Sequence, residues 1–110
     1  MLNKILTAAA IPARAARYPD PPELHAVTFD EIDTVGPDLG PPLQINHDCT
    51  VELYAPSIES GDEALLRLGA QLDANNIRYI AQGWHWLSSI RRYQNVIEFS
   101  HIEKRRKTNA

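Results

Sequence analysis

Hydrophobic and polar residues alternate most regularly over Gln44–Tyr54. Ile45, Cys49, Val51 and Leu53 share one parity with His47, while Asn46, Asp48, Thr50 and Glu52 take the other. Side chains of a strand point alternately to its two faces, so this stretch predicts a strand with one face on a core and one in water. Leu24–Asp30 predicts an earlier strand with His25, Val27 and Phe29 on one side, and Ile77–Gln82 a later one, continued or bent at Gly83 by Trp84–Leu87. In a fourth, Tyr93, Asn95, Ile97 and Phe99 alternate with Gln94, Val96, Glu98 and Ser100, ending near Ile102. Two stretches have helical spacing instead. Leu2, Ile5 and Leu6 share a face within Leu2–Ala10, and Leu65, Leu68 and Leu72, widened by Ala64 and Leu66, define a helix from Asp62 to Asn75.

The punctuation between these segments sets the order. Pro12 ends the first helix, and Arg14, Arg17, Pro19, Asp20, Pro21 and Pro22 make a stiff extended lead-in, so that 1–23 comprises a helix and a connection. Ser88 to Arg91 is a turn. Glu31 to Pro42, rich in glycine, proline and aspartate, is expected to be a long loop or arm joining two antiparallel strands. Ser57 or Ser60 can cap the second helix; Ser60 with Glu63 fits the capping box, which puts Asp62 and Glu63 in the first turn. Asn75-Asn76 supplies a left-handed stop. Gly69 in mid-helix costs about 1 kcal/mol relative to alanine, which suggests that another backbone approaches there. The expected fold is α+β, a single domain over 1–110 in the order α-β-β-α-β-β, with about four antiparallel strands and two helices on one face.

Composition narrows the function classes. A chain of 110 residues with 44% hydrophobic and 23% charged residues is ordinary for one globular domain with a modest core. No apolar run approaches the roughly 20 residues of a membrane span. Met1–Ala10 superficially resembles a signal peptide, but its apolar stretch is short and Ile11-Pro12-Ala13-Arg14 follows, so it is read as a helix of the mature protein. A single cysteine, Cys49, allows no internal disulfide and suits a reducing compartment. The net charge of -3 argues against a general nucleic-acid binder, although Lys104, Arg105, Arg106 and Lys107 form a basic tail within 103–110.

Candidate chemistry is sparse. His25, His47, Cys49, His85 and His101 lack the tight paired spacings of a zinc site, so no metal is expected. Cys49 sits on the apolar parity of a strand, where a thiol is a core residue and not a nucleophile. Asp30, Glu31 and Asp33 gather acids at the start of the long connection, as a solvated rim or as partners for basic groups of a neighbouring subunit. Gly36 and Gly40 do not form a phosphate loop, because no strand-to-helix context surrounds them. Trp84 and Trp86 flank His85 and share a parity. They read as core or interface residues in preference to a base-stacking platform. Arg91, Arg92 and the tail residues Lys104, Arg105 and Arg106 could meet phosphates or an acidic partner. No catalytic or cofactor-binding residues emerge.

Several strings in order along nearly the whole chain resemble a family of small phage and prophage structural proteins encoded among head and tail genes. They are Asn3-Lys4-Ile5-Leu6, Ile11-Pro12, Arg17-Tyr18, Pro21-Pro22 and Ala26-Val27-Thr28-Phe29-Asp30-Glu31. Further along come Asn46-His47-Asp48-Cys49-Thr50-Val51-Glu52-Leu53-Tyr54, Leu72-Asp73, Ile77-Arg78-Tyr79, Trp86-Leu87 and Tyr93 to Arg105. The resemblance implies a tail terminator, or tail-completion protein, at the head–tail neck of a long-tailed phage. Such a protein is a virion component assembled in the host cytoplasm. It forms a homo-oligomeric ring, commonly hexameric, between the tail tube protein and a head-side connector protein, with no enzyme activity and no cofactor. Another head–tail connector, a head-completion or stopper protein, fits the same pattern. A small nucleic-acid-binding module using Trp84, Trp86 and the basic tail is the alternative from a different class.

Overall fold

The computed structural model describes residues 1–36 and 44–104. Its elements are α1 (Leu2–Ala8), β1 (Ala13–Ala15), β2 (His25–Val35), β3 (Gln44–Ala55), α2 (Ile58–Ala74), β4 (Tyr79–Ala81), β5 (His85–Leu87) and β6 (Arg92–Lys104). The class is α+β, as expected, but the sheet is mixed and has six strands where about four were anticipated. Its order is β1-β2-β3-β6-β4, with β5 also on β6. β2, β3 and β6 are antiparallel neighbours, β4 and β5 lie antiparallel to β6, and β1 is parallel to β2.

The two additional strands arise at places where periodicity carries little information. Ala13–Ala15 falls inside the expected lead-in. It is held to β2 by backbone bonds, Ala26 N–H donating to Pro12 and Ala16 N–H to Thr28. The third expected strand divides in two because Gly83 adopts φ 102, a left-handed conformation open to glycine. There Asn95, buried in β6, accepts the Gly83 N–H through its Oδ1 at 3.1 Å.

Both helices cover one face of the sheet. Ile5 and Leu6 of α1 and Ala64, Leu68 and Leu72 of α2 pack against Val51 and Leu53 of β3 and Ile97 and Phe99 of β6. Each fully buried leucine contributes roughly 2 kcal/mol of transfer free energy. The alternation over Gln44–Tyr54 runs as expected, with Ile45, Cys49, Val51 and Leu53 buried. On β2 both parities are buried near the start, His25 and Ala26 alike, and Phe29 is exposed.

Helix α2 begins one turn earlier than the capping-box reading placed it. Ser57 is the cap and its hydroxyl accepts the Ser60 N–H at 3.2 Å. Asp62 and Glu63 thus leave the first turn for other work: Asp62 accepts the indole N–H of Trp84 at 2.7 Å, and Glu63 pairs with Arg67 one turn on. Leu66 faces solvent and does not widen the apolar stripe. Asn76 has φ 57 and supplies the expected left-handed stop. Gly69 makes room for a side chain, the Tyr79 hydroxyl end, in place of the anticipated backbone.

Candidate functional site

The strands outrun the helices. Core packing on β3 starts at Cys49 and on β6 ends at Phe99, yet β2, β3 and β6 stay paired from Asp30 to Val35, Gln44 to Cys49 and Phe99 to Lys104. Residues 31–35, expected to open the loop, therefore continue β2, and residues 37–43 lie outside the described residues. The sequence signal was present in Ile32, Thr34 and Val35, strand formers alternating with acids, but Gly36-Pro37 outweighed it. A three-stranded projection results, within a molecule 53 Å long and 26 by 21 Å across.

This projection carries apolar side chains in water. Ile32 is 60% exposed, Val35 50% and Ile102 55%, with Phe29 close by. Its helix-side face also gathers titratable groups that sequence spacing could not bring together. His47 Nδ1–H donates to the Asp30 carboxylate at 2.9 Å, and its Nε2 lies 3.6 Å from Glu103. The His101 ring stacks on His47 at 4.8 Å. Cys49 S–H points to Asp30 at 3.7 Å. Burial, and then the Asp30 charge, push the Cys49 thiol up to about 12, the opposite direction from an activated nucleophile. Burial and the neighbouring His47 hold His101 below its ordinary value. The donors do not converge, and among the described residues no group of three or more His, Cys, Asp or Glu is placed to hold a metal ion.

The expected interface residues separate into distinct places. Asp30 lies on the helix side of the projection, and Glu31 and Asp33 on the opposite face. Lys104 ends β6 at the same tip, while Arg105 and Arg106 lie outside the described residues. Arg91 and Arg92 stand at the other end of β6, where Arg92 Nε donates to the Glu23 carbonyl. Through the strand register Asp30 is roughly 23 Å and Asp33 roughly 33 Å from Arg92, too far to pair within one chain. The tryptophans have parted company as well. Trp84 is packed over Gly61 and bonded to Asp62, whereas Trp86 is 51% exposed and rests against Tyr93 at 4.8 Å. Compared with known proteins, the chain matches no protein-family model and no curated protein sequence.

Proposed function

We propose that this chain is a subunit of a homo-oligomeric ring at the head–tail neck of a phage, a tail terminator or tail-completion protein. It works through contacts alone, without catalysis or cofactor. The observation that carries this reading is the projection of β2, β3 and β6 beyond the helix-packed core, with Ile32, Val35 and Ile102 exposed and Ile45 its one buried apolar residue among the described ones. A free-standing domain gains little from extending paired strands into water; a ring subunit gains a surface to bury against its neighbours. Trp86 adds an exposed aromatic anchor of the type that dominates subunit contacts. The resembling strings along the chain support a head–tail connector, and a head-completion or stopper ring fits them as well as a tail-completion protein does. A tail tube protein and a head-side connector are then the partners.

Native mass spectrometry across a concentration series tests the reading. A hexamer, present throughout or appearing with concentration, is expected. A strict monomer that also fails to bind isolated tail tubes removes the proposal.

A further inference from the structure

The backbone pattern of the projection defines two open edges. Ala26 N–H and Thr28 C=O both point to β1, so the even-numbered residues of β2 direct their backbone groups away from β3. β1 covers this edge only through Thr28, which leaves Asp30, Ile32 and Thr34 with outward N–H and C=O groups and, among the described residues, no strand beside them. On β6 the Val96 carbonyl accepts from Gln82, so the even-numbered residues point away from β3 there too. β4 occupies that edge through Phe99 and the Ser100 N–H, leaving the Ser100 carbonyl, Ile102 and Lys104 open.

We propose that the open β2 edge of one copy pairs in parallel with the open β6 edge of the next, joining the sheets of successive subunits. This deepens the ring reading given above and rests on it. β2 and β6 are each antiparallel to β3 and hence parallel to one another. A repeated rotation that carries each copy onto the next keeps strand direction and sheet face in common when the strands run along the rotation axis. A parallel junction then requires each outward residue of one strand to lie beside an inward residue of the other, on the same face. The parities comply: Asp30 and Ile32 share the helix-side face with His101 and Glu103, whereas Ser100, Ile102 and Lys104 lie on the opposite one.

One register that clears β4 sets Asp33 beside Lys104, an opposite-charge pair, and Asp30 beside His101, with Ile32 flanked by Glu103 and Ile102 by Glu31. Pairing two β2 edges about a two-fold axis centred on Asp33 would instead set that residue against its own copy, and like charges across strands repel. The occupant of the β2 edge is therefore the β6 edge of a second copy.

Ile32→Pro removes an outward N–H and leaves the ladder to β3 intact, because an edge position whose N–H faces away from the sheet tolerates proline. Its concentration of half-assembly in native mass spectrometry is expected to rise about tenfold or more, with circular dichroism and melting unchanged. Should that variant fail to fold, Asp33→Cys combined with Lys104→Cys decides. Mild oxidation is expected to give a ladder of cross-linked oligomers beyond the dimer, with buried Cys49 taking no part. A wild-type ring that persists in Ile32→Pro and yields no ladder overturns the edge pairing and leaves the ring reading standing. Dimers from Asp33→Cys alone overturn it in favour of the two-fold arrangement. A wild-type monomer at every concentration overturns both.

Discussion

The indole ring of Trp84 lies directly over the backbone of Gly61, in the space that a Cβ at that position would fill. Helix propensity alone favours Gly61→Ala by about 1 kcal/mol, but overpacking against a rigid ring costs roughly 1–3 kcal/mol, and Trp84 is also held by Asp62. The variant is expected to melt several degrees lower, with altered tryptophan fluorescence. Gly69→Ala meets the hydroxyl end of Tyr79, the far tip of a half-buried side chain, and the shift it forces offsets the gain in helix propensity, so its melting point should stay within about 2 °C of wild type. Equal losses in both would remove the distinction.

Asn95 is buried and holds the Gly83 N–H at the break between β4 and β5. Asn95→Ala leaves that donor unpaired and opens a small void, at an expected cost of about 2 kcal/mol in urea unfolding. Asn95→Asp retains the acceptor but buries a charge, and should cost at least as much at neutral pH.

Stability should fall on mild acidification. The ring of His25 is stacked on Tyr54, with its Nδ1–H donated to the Pro22 carbonyl at 2.8 Å. Burial first, and then Arg92, hold it below the ordinary value of 6.5, against the pull of the Pro22 bond. A lowered histidine binds its proton more readily in the unfolded chain. The stability it contributes is therefore complete above about pH 6.5 and is lost as pH falls from there through the folded-state value. His101 acts with the same sign. Melting temperature from pH 8 to 5 should be level and then descend. His25→Asn should start lower and descend less, and a parallel slope would show that His25 is not responsible.

With the Cys49 thiol pushed up to about 12, only about one molecule in ten thousand carries a thiolate at pH 8. Iodoacetamide should label the native protein at least a hundredfold more slowly than the urea-unfolded chain. Asp30→Asn should narrow the gap only in part, because burial is the larger cause. Equal rates in native and unfolded protein would contradict the burial.

Much of the fold was legible where a pattern repeats often enough. Gln44–Tyr54 and the leucines of α2 declare themselves because several turns or alternations agree. Ala13–Ala15 offers three small or exposed residues and no alternation, and becomes a strand only because β2 lies alongside. Ser60 with Glu63 imitates a capping box although Ser57 makes the cap; local spacing could not show that Gly61 must already be helical to receive Trp84. The candidate site was legible in its charges and not in its geometry. Asp30 and His47 meet through strand register, and the separation of Asp33 from Arg92 follows from pairings that no single segment encodes.

The same three strands end in two environments, and their amides should exchange with solvent at correspondingly different rates. Around Val51, Leu53 and Ile97 the ladder is sealed under helices, and releasing its protons requires opening the whole domain. Past Cys49 and Phe99 the ladder continues outside the helix-packed core, so its protons escape through local fraying that leaves the helices in place. Deuterium uptake should therefore step sharply within single strands, and in an assembled ring the fast half should become slow.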